Sequence, residues 1–116
     1  MTEGSCHCGA VRISIPHLPE QLTDCNCSLC RRVAALWAYY RVSEVRILGE
    51  TAPYIQGDRS LEMRHCPTCG CVTHWSPSEK AAIDRMGVNV RMMEPATIAA
   101  CRVRHLDGAD TWTYLD

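Results

Sequence analysis

Leu61-Glu62-Met63-Arg64-His65-Cys66-Pro67-Thr68-Cys69-Gly70-Cys71-Val72-Thr73-His74-Trp75 contains two strand-like runs separated by a cysteine-bearing turn. Cys66-Pro67-Thr68-Cys69-Gly70 has the form of a metal-binding turn. A C-x-x-C turn brings two sulfurs within reach of one ion, and the glycine after it lets the chain turn tightly. Backbone N–H groups then point at the thiolates. Leu61–His65 also has a partner on its other side. Tyr54-Ile55 and Leu61–His65 flank Gly57-Asp58, the pattern of a hairpin. Further out, Val11, Ile13 and Ile15 alternate with Arg12 and Ser14, which predicts a half-buried strand ended by Pro16. Leu36–Tyr40, Val45–Leu48, Met86–Met92 and Ile98–Leu106 read as further strands, the second stopping at Gly49. Helix is confined to single turns at Arg31–Ala34 and Ser78–Ile83. The expectation is one mostly β domain over residues 1–116.

Composition narrows the function. The formal charge is −1, with 12 basic and 13 acidic residues, so broad electrostatic binding of nucleic acid is not expected. No apolar run approaches the roughly 18 residues that span a bilayer. The opening Met1-Thr2-Glu3-Gly4-Ser5-Cys6 lacks a basic segment followed by an apolar one, so a cytoplasmic setting is expected. Leu, Ile and Val total 22 of 116 residues and Phe is absent. That is thin material for a core in so small a domain. Something besides apolar packing has to stabilise it.

The nine cysteines are the candidates. Eight fall in three groups: Cys6 and Cys8; Cys25, Cys27 and Cys30; and Cys66, Cys69 and Cys71. Cys101 stands alone in a strand-like run and reads as a small apolar filler. A reducing compartment disfavours a disulfide scaffold. No βαβ pattern surrounds Cys27 or Cys66, as a thioredoxin-type pair would require, and the spacings do not match ferredoxin runs. Metal binding remains. With Cys71 set aside, seven thiolates divide as four plus three. Four form a structural tetrahedron, and three leave a position for water or substrate. C-x-C-x-x-C over 25–30 can wrap one ion, leaving Cys6, Cys8, Cys66 and Cys69 for the other. Spacing does not force this division. Pairing Cys6 and Cys8 with two of the middle cysteines satisfies it as well.

Gly4-Ser5-Cys6-His7-Cys8-Gly9-Ala10-Val11-Arg12, Cys25-Asn26-Cys27-Ser28-Leu29-Cys30-Arg31-Arg32 and Cys66-Pro67-Thr68-Cys69-Gly70 occur in that order, followed by Asp107-Gly108-Ala109-Asp110-Thr111-Trp112. Over its whole length the chain resembles the glutathione-dependent formaldehyde-activating enzyme family, which also includes centromere protein V. The resemblance implies a small zinc-binding β-tent domain, similar to methionine sulfoxide reductase B. It implies two zinc ions per chain: a structural one held by Cys6, Cys8, Cys66 and Cys69, and a catalytic one held by Cys25, Cys27 and Cys30. It also implies carbon–sulfur lyase activity, joining formaldehyde and the thiol of glutathione as S-(hydroxymethyl)glutathione. Two features depart from the family pattern. Val33-Ala34-Ala35 stands where many members carry a glycine or polar residue, and the segment between the second and third motifs is short.

Several neighbours are candidates for supporting roles. Arg31 and Arg32 suit carboxylate binding, though a solvated basic turn is the preferred reading of each. His7, between two cysteines, points away from any ion they share. His74, three residues after Cys71, is a candidate ligand or proton carrier, but a plain strand histidine beside Trp75 is the preferred reading. Trp37, Tyr39 and Tyr40 form the core and rim of one strand, or line a pocket. Cys71 is either a further ligand or a thiol beside the metal. The competing function is a zinc-stabilised binding module without catalysis, since zinc alone supplies on the order of 10 kcal/mol to a small fold.

Overall fold

The computed structural model describes residues 1–116. In chain order its strands are β1 (Thr2–Ser5), β2 (Arg12–Ile15), β3 (Gln21–Cys25), β4 (Trp37–Tyr40), β5 (Arg46–Leu48), β6 (Ala52–Ile55), β7 (Leu61–His65), β8 (Val72–Pro77), β9 (Met86–Asn89) and β10 (Arg102–Leu106). Two short helices, α1 (Cys30–Val33) and α2 (Pro95–Ala99), complete the regular structure. The fold is mostly β, as the sequence predicts.

The strands form two sheets. The smaller has the order β1-β2-β5 and the larger the order β10-β3-β4-β9-β8-β7-β6. Every pairing is antiparallel except that of β10 with β3. The small sheet lays Ile13 and Ile15 against one face of the large one. There they meet Leu22, Leu36, Ala38, Tyr40, Met86, Val88, Val90 and Met93, all buried. Burying each such aliphatic side chain contributes about 1.5–3 kcal/mol.

The opposite face of the large sheet is poorer. Its buried apolar cluster there is small, made of Ala35, Trp37, Met63 and Trp75. Residues alternate between the two faces along a strand. In β4, Ala38 and Tyr40 enter the main core while Trp37 and Tyr39 face the sparse side. That side is where Cys25, Cys27, Cys30 and the cavity described below are found.

Three expectations need correction. The run Met86–Met92 is not one strand, because β9 stops at Asn89. The Asn89 side chain accepts from the Leu36 and Arg91 backbone N–H groups and donates to the Val72 carbonyl. These bonds divert the chain into a tight turn over Val90–Met92. Ile98–Leu106 begins inside α2, which Pro95 starts, and the strand opens only at Arg102. Ser78–Ile83 forms no helix, and the Ser78 N–H donates to the Ser60 carbonyl instead. Strands β1 and β3 carry no clear alternation, and the sequence reading passes over both. Cys101 behaves as a filler: it packs on the main core, and its thiol donates to the Pro19 and Thr97 carbonyls.

His74, on β8, is a buried strand histidine whose Nδ1 lies 2.9 Å from Thr73 Oγ1. Burial, with the Arg64 cation nearby, pulls its pKa down from 6.5 to about 4. The unfolded chain therefore binds a proton below pH 6.5 that the native protein refuses until about pH 4. Stability must fall as the pH drops through that window. By pH 5 the loss is about 2 kcal/mol. Urea unfolding at pH 7 and pH 5 tests this. The variant His74→Gln should lose about 2 kcal/mol less than the wild type over that interval.

Candidate metal centres and the adjoining cavity

Two cysteine turns have the same construction. In one, the Cys6 N–H donates to the Val11 carbonyl at 3.0 Å, closing the β1–β2 hairpin. In the other, the Cys66 N–H donates to the Cys71 carbonyl at 2.9 Å, closing β7 onto β8. Each turn contains a glycine in the left-handed region, Gly9 at φ 83° and Gly70 at φ 79°, where a side chain would be strained.

The two turns face each other. The sulfurs of Cys6, Cys8, Cys66 and Cys69 all lie within 4.8 Å of one another. Cys6 Sγ is 3.7 Å from Cys8 Sγ, and Cys8 Sγ is 3.6 Å from Cys66 Sγ. A tetrahedral ion with bonds of about 2.3 Å to sulfur has edges of about 3.8 Å, so the group has the dimensions of a zinc–thiolate site. A disulfide would need about 2.05 Å. Thiolate character is already favoured at Cys69. The backbone N–H groups of Cys71 and Cys8 draw its pKa down to about 5. Cys6 Sγ also accepts from the Val11 N–H at 3.3 Å.

The second group joins the end of β3 to the start of α1. The Cys25, Cys27 and Cys30 sulfurs likewise lie within 4.8 Å of one another. The Cys30 N–H donates to Cys27 Sγ at 3.3 Å. Burial opposes a Cys27 thiolate, yet the Cys30 N–H and the neighbouring thiols hold its pKa below the usual value. Burial pushes the Cys30 thiol up, against a smaller lowering by the Trp37 indole. Trp37 Nε1 is buried without a hydrogen-bond partner. A buried donor left over beside a cysteine suits a thiolate acceptor there. Both groups are thus compatible with zinc in size and donor chemistry.

A strap from the C-terminal segment covers the second group. The Asn26 amide donates to the Asp107 carboxylate at 3.0 Å, and its oxygen accepts from the Ala109 N–H at 2.9 Å. Gly108 between them is buried against the sulfurs. A Cβ on Gly108 would lie 2.5 Å from Cys25 Sγ and 3.4 Å from Cys27 Cβ. Gly108→Ala is therefore expected to displace Cys25 and weaken metal binding at this group about 10–100-fold. The four-sulfur group should keep its ion. Competition with a graded series of chelators measures both affinities in one sample.

A cavity of about 690 Å³ opens directly onto the second group. Cys25, Cys27 and Cys30 line it together with Trp37, Tyr39, Met63 and Trp75, while none of the first group's cysteines does so. Arg85 also lines it, with its guanidinium 4.1 Å from the Tyr39 ring centroid.

The remaining expected residues divide. Trp37 and Tyr39 line the cavity, but Tyr40 faces the main core and donates to the His17 carbonyl. Arg31 is exposed away from the cavity. Arg32 donates to the Ser28 carbonyl and borders a small adjoining pocket. His7 is exposed, and Cys71 and His74 lie outside both cysteine groups. Ala34, within the Val33-Ala34-Ala35 departure, ends α1 at φ 58°, a conformation that glycine adopts more easily. The sequence reading missed Arg85, Trp75, Trp112 and Tyr114 as lining residues, and Gly108 and Asn26 as the strap. Only the Asp107–Trp112 tail carried any hint of them.

A family model described as glutathione-dependent formaldehyde-activating enzyme matches residues 1–105. The chain belongs to the glutathione-dependent formaldehyde-activating enzyme family. A curated relative from Halomonas elongata, provisionally named a glutathione-dependent formaldehyde-activating enzyme, is 49% identical over 41 residues. That match spans 34% of this chain and 26% of the relative, so the chain aligns with about a quarter of that protein. A Rhodobacter sphaeroides protein of known crystal structure is similar at 32% identity and a TM-score of 0.71, covering 87% of this chain and 98% of its own. This chain shares its fold with that protein, and the family's name suggests an enzyme that handles glutathione and formaldehyde. No helix is long and apolar enough to cross a membrane.

Proposed function

We propose that this chain is a zinc-dependent carbon–sulfur lyase that makes and breaks a thiol–aldehyde adduct of the S-(hydroxymethyl)glutathione type. The observation that carries the reading is the contrast between the two cysteine groups. Four sulfurs enclose a tetrahedron away from the cavity, and three sulfurs lie on the cavity wall. In this reading Cys6, Cys8, Cys66 and Cys69 hold a structural zinc, and Cys25, Cys27 and Cys30 hold a catalytic one. Zinc bound by three thiolates is a mild Lewis acid suited to a soft thiol, whose pKa it lowers.

The chain's own residues supply the rest. Trp37, Met63 and Trp75 wall the sulfurs off from bulk water. Burial pushes the Tyr39 hydroxyl up to about 12, so it stays protonated near neutrality and can donate to an oxygen in the cavity. Arg85 offers its guanidinium edge to a carboxylate at the rim. Addition of a thiol to an aldehyde is intrinsically easy, so holding the two reactants together accounts for much of the acceleration.

Incubation of zinc-loaded protein with formaldehyde and glutathione, followed by NMR, tests the reading. Adduct should form, and revert on dilution, faster than in a protein-free control. A rate equal to the control removes this substrate pair.

A further inference from the structure

The chain contains three Trp and four Tyr. Six of these seven line the cavity beside the second cysteine group: Trp37, Tyr39, Tyr54, Trp75, Trp112 and Tyr114. They come from β4, β6, β8 and the C-terminal tail, so no single element's periodicity explains the gathering. Packing does not require it either, because Tyr54 and Trp112 are 54% and 68% exposed. Trp112 is moreover held at φ 58°, a left-handed backbone that bulky residues rarely adopt.

Apart from the three cysteines, charge is scarce among the 18 lining residues: only Asp58 and Arg85 carry it. The Asp58 carboxylate already accepts from the Ser60 N–H. Arg85 stacks on Tyr39 and forms no ion pair.

Neither molecule in the family's name uses these walls. Formaldehyde has no substituent to pack. Glutathione has no aromatic or aliphatic side chain beyond its thiol arm. The walls need a ring, for which offset and edge-to-face contacts add to area burial, and a volume of about 690 Å³ has room for one.

Resting on the lyase reading above, we propose that the aldehyde this site selects is aromatic: a ring bearing the carbonyl lies among the Trp and Tyr walls, and Arg85 takes a carboxylate of the thiol partner. The thiol sulfur bonds to the carbonyl carbon, the C=O π pair moves to oxygen, and oxygen takes the thiol's proton. The product is a hemithioacetal, and no other reactant is needed.

The test has a binding arm and a reaction arm. In the first, ligand-observed NMR compares benzyl alcohol with cyclohexylmethanol, which is similar in size but has no ring current or quadrupole. Benzyl alcohol should bind at least tenfold more tightly. The double variant Tyr54→Leu/Trp112→Leu alters only exposed rim residues, so the fold should persist, and the preference should fall at least threefold. In the second arm, glutathione is offered with formaldehyde or with benzaldehyde, and the acceleration over the protein-free rate is compared. Benzaldehyde should show the larger acceleration. Equal binding of the two alcohols overturns the aromatic proposal. So does faster handling of formaldehyde than of benzaldehyde, which would leave the lyase reading standing. Selective binding of benzyl alcohol with no acceleration of either aldehyde would overturn the lyase reading, and with it the aldehyde assignment, while leaving a ring-binding cavity.

Discussion

Cys27→Ser should leave the protein folded, reduce its zinc from two ions to one, and abolish catalysed adduct formation. Cys27 Sγ is the acceptor for the Cys30 N–H, and its pKa is held below the usual thiol value. A serine hydroxyl is a poor zinc ligand and stays protonated, so the group would retain two sulfurs, too few for tight binding. The rest of the fold has little stake in this group. The ten-residue main core lies on the opposite face of the large sheet. Metal analysis, a circular dichroism spectrum and the NMR assay on one preparation decide the matter. Activity retained with a single zinc would exclude the second group from the chemistry. Loss of both ions, or of the fold, would contradict the separation of the two groups.

Cys66→Ser should have a larger and different effect, namely loss of the folded state itself. Cys66 is fully buried among Cys6, Val11 and their neighbours, and its sulfur is 3.6 Å from Cys8 Sγ. Binding of a structural zinc contributes on the order of 10 kcal/mol, comparable with the entire stability of a domain this size. The apolar core cannot offset that loss, and the cluster around Cys66 holds only three fully buried residues, two of them cysteines. Expected observations are a collapsed thermal transition and recovery of the variant mainly in the insoluble fraction. A cooperative transition within a few degrees of the wild type would mean that the four-sulfur group is dispensable. Chelation of the wild type under mild denaturant should reproduce the same loss.

The sequence made the sulfur chemistry legible and the cavity largely illegible, for physical reasons. Cysteines of a metal turn are local: Cys66, Cys69 and Gly70 show their function within five residues. Strands with strict alternation, such as Arg12–Ile15, show theirs in four. Which turns meet is a tertiary matter. Spacing left Cys6 and Cys8 free to pair with the middle group, whereas the structure brings their sulfurs to Cys66 and Cys69. The cavity is harder still. Tyr54, Trp75, Arg85 and Trp112 have no common spacing and meet only because β6, β8 and the tail converge. Gly108 is a single glycine with no turn signal of its own, and its value lies in a sulfur more than eighty positions earlier in the chain. The run Met86–Met92 misled because its apolar residues continue past Asn89, while the break is made by a side-chain amide that serves two distant backbones.

The matched cysteine turns have a consequence for biosynthesis. Cys8 and Cys66 are 58 positions apart, so the first hairpin emerges from the ribosome long before its counterpart exists. Until then its two thiols are exposed on a nascent segment with little to bury. The last strand then pairs in parallel with β3, placing Arg102 opposite Gln21. Such long-range closures make for slow maturation, and they leave the thiols of the newborn chain open to mispaired oxidation until the second turn has been made.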